Sequence, residues 1–104
     1  MKTYKVFLTR SAKQDLYDIA RYISTNLSAP YTSIEVIDIL SEKIKGLKTS
    51  PTRHAFARDT RLVEKEIRAF PVKNYLVFYI VDENAQKVIV SRILYNRREW
   101  YNLL

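Results

Sequence analysis

Cysteine is absent from this chain of 104 residues, which excludes a disulfide framework, a thiolate zinc site and a cysteine nucleophile. There is one histidine, His54, so neither a histidine-rich metal site nor a histidine pair for acid–base work can be built. The single glycine, Gly46, excludes a glycine-rich phosphate loop, because nucleotide and dinucleotide fingerprints need several glycines. No apolar run approaches the ~20 residues of a membrane span, and no long apolar segment follows Met1-Lys2-Thr3-Tyr4-Lys5. These absences predict a soluble, cytoplasmic protein with no metal, no cofactor and no membrane partner. Hydrophobic residues at 47% and charged residues at 28% match an ordinary folded chain, and the length suits one domain over residues 1–104.

Positive charge is what the chain has in excess. Eighteen Lys and Arg against eleven Asp and Glu leave a net charge of +7. A basic domain is drawn to polyanions or to an acidic protein partner, although a small domain also carries several charges for solubility alone. Arg92, Arg97 and Arg98 follow one another with no acid between them, and a guanidinium fork grips phosphate or carboxylate. Arg97 and Arg98 would sit at the start of a final helix, the end where the dipole disfavours cations.

Periodicity divides the chain into a helical half and a strand half. Thr3 to Leu8 alternates as a strand, with Tyr4, Val6 and Leu8 on one side and Lys5 and Phe7 on the other. Ser11-Ala12-Lys13-Gln14 reads as a capping box for a helix of about 16 residues, carried by Ala12, Leu16, Ile19, Ile23 and Leu27. Ser28 is expected to cap a second helix with Pro30 in its first turn. Its apolar stripe is Ile34, Ile37, Leu40, Ile44 and Leu47, and Thr49-Ser50-Pro51 ends it. The short connection implies an antiparallel helical hairpin.

Pro51 to Leu62 has no period and is expected to be a basic loop, holding Arg53, a solvated His54, Arg58 and Arg61. Glu64 to Phe70 alternates as a strand that would put Glu64, Glu66, Arg68 and Phe70 on one face. Tyr75 to Val81 is apolar throughout, as in a central strand covered on both faces, with Tyr75 and Tyr79 expected in the core beside Tyr4. After the polar turn Asp82 to Gln86, Lys87 to Tyr95 forms another strand, and Asn96 caps a short helix from Arg97 to Leu104.

The expected fold is α+β, in the order β-α-α-β-β-β. A helical hairpin packs on one face of a mainly antiparallel four-stranded sheet, and a short C-terminal helix follows. Trp100, Tyr101, Leu103 and Leu104 would cover part of the opposite face and leave an aromatic, arginine-edged concavity where a partner segment docks.

Serines and aspartates are too many for spacing to select a catalytic triad with His54. What remains is arginine, tyrosine and glutamate, residue types that suit phosphodiester cleavage without a metal. A base takes the 2′-hydroxyl proton, cations hold the phosphorane, and an acid protonates the leaving oxygen. An Arg68 pair with Glu64 or Glu66 is equally a surface ion pair worth under about 1 kcal/mol.

Several stretches, taken in order, carry a resemblance. They are the first strand followed by Ser11-Ala12-Lys13-Gln14-Asp15-Leu16, the hairpin ending in Leu47-Lys48-Thr49-Ser50-Pro51, then Ile67-Arg68-Ala69-Phe70-Pro71 and Tyr75-Leu76-Val77-Phe78-Tyr79. The last is Arg92-Ile93-Leu94-Tyr95-Asn96-Arg97-Arg98-Glu99-Trp100. In order and spacing the chain resembles the RelE/ParE toxin superfamily of bacterial type II toxin–antitoxin systems over nearly its whole length.

Two mechanisms follow from that resemblance. RelE-like members are ribosome-dependent endoribonucleases that cut mRNA, whereas ParE-like members poison DNA gyrase without nuclease chemistry. RelE-like nucleases typically carry a catalytic arginine in a Tyr-Arg-Leu-Val-Tyr pattern, where this chain has Leu76, and a lysine pair where it reads Glu64-Lys65-Glu66. The closing motif often has histidine where Tyr95 stands. The resemblance therefore implies a ParE-like toxin held inactive by a cognate antitoxin. Arg68, Arg92, Arg97, Arg98 and Trp100 would contact the antitoxin or DNA gyrase. The alternative it implies is a metal-independent ribonuclease working on the ribosome and mRNA through Arg68, Tyr95 and Arg98.

Overall fold

The structure is a computed structural model that describes residues 2–58 and 60–96. The chain opens with strand β1, Lys5–Leu8. Tyr4, Val6 and Leu8 pack on the core while Lys5 and Phe7 face out, as the alternation predicts. Helix α1, Arg10–Arg21, follows without a linker. Its N-cap is Thr9 and not the expected Ser11. The Thr9 hydroxyl accepts the Ala12 N–H at 3.0 Å and donates to the Ser91 carbonyl at 2.8 Å. Thr9 is the last extended residue before the turn, the backbone geometry a cap requires, whereas Ser11 already lies within the helix.

Beyond Arg21 the helix continues through one π-turn, Tyr22–Asn26, so the apolar stripe runs about as far as its spacing implies. Ser28 adopts a left-handed φ of 50° and terminates this helix; it does not cap the next. Ala29 holds the cap position of helix α2, Pro30–Lys45, with no side-chain bond, and Pro30 sits in the first turn as expected. Leu40, Ile44 and Leu47 are buried, but Ile34 is 60% exposed. The inward line passes instead through Ser33, whose Oγ donates to the Ala20 carbonyl at 2.8 Å and lets α1 and α2 approach closely.

The aperiodic region after Pro51 has more structure than a loop. It contains a helical turn, Pro51–Arg53, and a short helix α3, Thr60–Glu64. Strand β2 is Arg68–Val72. Glu64 and Glu66 therefore share no strand face with Arg68: Glu64 ends α3, and Glu66 turns the chain with a φ of 58°. Strands β3, Tyr75–Asp82, and β4, Lys87–Tyr95, complete a sheet in the order β1-β4-β3-β2, antiparallel except for the β1–β4 pair.

Each face of the sheet has its own apolar cluster. On the helix side Val72, Val77, Tyr79, Val88, Val90 and Ile93 meet Ala12, Ile19, Ile23, Leu40, Ile44 and Leu47. A bulge leaves Ser91 unmatched between the Tyr79–Val90 and Phe78–Arg92 pairs, so both Val90 and Ile93 reach this side. On the far side Ala57, Leu62, Ile67 and Phe78 are buried, with Ala69, Leu76 and Leu94 against them. This cover comes from the region read as a loop, which is tied to β2 by Ala57 N–H to Ile67 O at 2.8 Å and Ala69 N–H to Ala55 O at 3.2 Å. Arg97, Arg98, Trp100 and the expected C-terminal helix lie outside the described residues.

Candidate functional site

The slot that separates the two mechanisms lies on the far face. Leu76 in β3 is half-buried and packs into the Ala57, Leu62, Ile67 and Phe78 cluster between Ala69 and Leu94. The neighbourhood is apolar as well as the residue. Strand β2 carries no lysine, and Ile67 and Ala69 supply hydrocarbon beside Leu76. A phosphorane held here would meet methyl groups and would lose the several kcal/mol that one preorganised cation supplies, about 3 kcal/mol for a single oxyanion donor.

Arg68 is on the other side of the sheet. It pairs with Tyr79 in the ladder, and Tyr79, Phe70 and Val72 all belong to the helix-side cluster. Its guanidinium donates to the His54 carbonyl at 2.8 Å and the Thr52 carbonyl at 3.4 Å and lies 4.2 Å over the Phe56 ring. The buried Tyr79 hydroxyl donates to the Pro51 carbonyl, and Arg53 donates to Thr49 O at 2.8 Å. Three side chains thus bind the loop at 49–54 through its carbonyl oxygens. His54 is not a solvated surface group: it stacks on Phe70 at 4.2 Å. Burial, and then the Arg53 charge, lower its pKa below the usual imidazole value. Burial likewise pushes the Tyr79 phenol up to about 12, against the pull of Arg68 and Arg53.

Arg92 is engaged within the chain. Its Nε and Nη2 donate to the two oxygens of Asp15 at 2.8 and 2.9 Å, and Asp15 Oδ2 also accepts the Ile93 N–H at 2.9 Å. The hydrogen bonds it donates to Asp15 raise the guanidinium pKa against the opposing desolvation. This fork fixes α1 to β4. Sequence reasoning missed Asp15, although the signal exists: it is a carboxylate at an inward position, three residues after Ala12 and four before Ile19.

Tyr95, the second residue of the ribonuclease alternative, stands across from Tyr75 in the ladder, their rings edge to face at 5.7 Å. Four residues of strand and two inter-strand gaps separate it from Arg68, about 16 Å in all. The two side chains are not brought onto one phosphate.

Tyr75 and Tyr95 instead form one wall of a groove of about 780 Å3, where the helical hairpin overhangs the end of the sheet. Tyr22, Ile23, Leu27, Val36 and Ile39 line the helical wall. A smaller depression of about 370 Å3 lies at Thr9, Ser11, Lys65, Ser91 and Arg92. Among the described residues the aromatic concavity expected on the far face is not found there, because Ala57 and Leu62 cover that face. The larger concavity lies on the helix side, and its charged edge among the described residues is Asp18, Glu35 and Lys73 and not arginine. Among the described residues no helix is long and apolar enough to cross a membrane.

Comparison with known proteins agrees with this architecture. A chain of the chromosomal ParDE TA system from P. aeruginosa superposes with a TM-score of 0.75 at 16% identity, over 91% of this chain and 98% of that one. A chain of the toxin-antitoxin complex RelBE2 from Mycobacterium tuberculosis gives a TM-score of 0.63 at 18% identity, over 92% of this chain and 94% of that one. At these identities the likeness is one of fold. No curated protein sequence matches the chain. The family described as the ParE toxin of the type II toxin-antitoxin system parDE matches residues 6–100. With that match spanning nearly the whole sequence, the chain belongs to the ParE toxin family of type II toxin–antitoxin systems.

Proposed function

We propose that this toxin arrests growth in the cytoplasm by obstructing DNA gyrase, that it cuts no RNA, and that a cognate antitoxin neutralises it. The observation that carries this reading is Leu76, packed among Ala57, Leu62, Ile67 and Phe78. The position that holds a phosphate-gripping arginine in RelE-like nucleases is here part of an apolar cluster. Support also comes from Arg68, whose guanidinium is turned to the His54 and Thr52 carbonyls and not toward Tyr95. A protein with this surface acts by occupying a partner. A disordered, acidic antitoxin segment that folds on binding would be drawn to a chain of net charge +7, with Arg68, Arg97, Arg98 and Trp100 as the candidate contacts.

Induced expression in a host cell, with and without the small protein encoded beside the gene, tests the reading. Growth should stop and be restored by the neighbour, and transcript 5′ ends mapped after induction should show no new codon-linked cuts. Codon-linked cuts would transfer the assignment to a ribosome-dependent ribonuclease, and unaffected growth would remove toxin function.

A further inference from the structure

Among the described residues, the groove between the hairpin and the sheet end has a charge pattern opposite to that of the whole molecule. Its walls are apolar at Ile19, Ile23, Leu27, Val36, Ile39 and Ile93. Among the described residues, the charged ones that line it are Asp15, Asp18, Glu35 and Lys73. The Asp15 charge is matched by Arg92, which leaves two carboxylates against one ammonium in a chain of net charge +7. Among the described residues Glu35 makes no hydrogen bond or ion pair, and the Asp18 carboxylate accepts only from the exposed Gln14 amide, at 2.8 Å.

The aromatic lining points to the same kind of ligand. Tyr75 meets Tyr95 edge to face at 5.7 Å, and Tyr22 is close enough to help raise the Tyr75 phenol above its usual pKa, after burial and Tyr95. Tyrosine faces beside carboxylates attract a flat, weakly hydrated cation. A guanidinium can lie on a ring and fork a carboxylate at once, which an ammonium does poorly and a carboxylate cannot do.

We propose that this groove docks an apolar segment of the antitoxin through one arginine, held against Tyr22, Tyr75 and Tyr95 and paired with Glu35 or Asp18. This rests on the antitoxin reading above and adds a requirement to it. The acidic part of the partner covers the basic surfaces elsewhere, while the part that enters the groove is hydrophobic and carries a positive charge. Loss of a stacked and paired arginine weakens such docking by about tenfold or more.

A helical peptide library displayed on phage tests the chemistry without the antitoxin in hand. It is panned on the wild-type protein and counter-selected on a Tyr22→Asp variant that keeps the same melting temperature. Groove-specific binders should be enriched in arginine flanked by leucine or isoleucine. Panning on the double variant Asp18→Lys, Glu35→Lys should remove the arginine, since both residues are exposed and the fold does not depend on them. Binders enriched in acidic residues, binders indifferent to the double variant, or no groove-specific enrichment would each overturn the proposal. So would a dimer of the chain that Tyr22→Asp abolishes, since a second copy would then fill the groove. The toxin reading fails separately, if no neighbouring protein reverses growth arrest. If that protein neutralises the wild type and the double-lysine variant equally well, the toxin reading stands and the arginine anchor does not.

Discussion

Replacing Asp15 by alanine should be the most damaging single change at a charged position among the described residues. The Asp15 side chain is 9% exposed and that of Arg92 22%, so solvent screens the pair only in part. Alanine would take both Asp15 oxygens from Arg92 Nε and Nη2 and leave the Ile93 N–H without its acceptor, in a region the bulge at Ser91 already interrupts. Removing one partner of a buried pair costs about 3–5 kcal/mol, a large part of the roughly 5–15 kcal/mol that holds a domain of this size. At roughly 4 °C or more per kcal/mol the melting temperature should fall by about 12 °C or more. Calorimetry of the wild type, Asp15→Ala, Arg92→Met and the double variant Asp15→Ala/Arg92→Met checks this. The double variant should lose less than the two singles together, by about 1–3 kcal/mol. A melting temperature for Asp15→Ala within a few degrees of wild type, or a fully additive cycle, would refute the reasoning and return Arg92 to the pool of surface cations.

Tyr79→Phe should cost about 1–3 kcal/mol, because the Pro51 carbonyl loses its buried donor; urea unfolding measures it. The same phenol gives an alkaline signature. Its folded pKa of about 12 lies above the ordinary tyrosine value of 10.0, so the native state keeps a proton the unfolded chain sheds. Stability should therefore fall as pH rises from 10 toward 12, and Tyr79→Phe should flatten that decline. His54 acts in the acid direction: with its folded pKa lowered, the unfolded chain binds the proton first, so stability should drop as pH falls below about 6.5. His54→Gln should remove that slope in chemical denaturation run across pH 5 to pH 8, and an unchanged slope would show that another group causes it. Leu76→Ala, at a half-buried position, should cost about 1–2 kcal/mol, less than a fully buried leucine. It should leave growth arrest intact where expression is matched, because no chemistry is assigned to that side chain.

Where a period governed the chain, the fold was legible. Alternation at Tyr4, Val6 and Leu8, helical spacing through Ile19 and Ile23, and the apolar run from Tyr75 each survive in the structure. Glu64-Lys65-Glu66 misled because a helix as short as α3 completes barely more than one turn, and alternating charge imitates a strand edge. The cap at Thr9 was hidden by a better-looking serine two residues on, and only the strand's end chooses between them. The far-face cover could not be read at all, since Ala57 and Leu62 become apolar anchors only when β2 brings them under Phe78.

At the candidate site the legible part was an absence. Leu76 departs from the Tyr-Arg-Leu-Val-Tyr pattern of RelE-like nucleases in the sequence itself, and the surrounding hydrocarbon gives that absence a physical consequence. Asp15 with Arg92, 77 residues apart, and the meeting of Tyr22, Glu35 and Tyr75 in the lining of one groove are non-local. No window of sequence contains both partners.

The reading that this toxin obstructs and does not cleave is tested most directly by adding the purified protein to DNA gyrase, ATP and relaxed plasmid and following supercoiling on a gel. Supercoiling should fall as the protein approaches the gyrase concentration, or cleaved plasmid should accumulate in covalent complexes. Full supercoiling at excess protein, with the same preparation shortening mRNA on ribosomes, would contradict it.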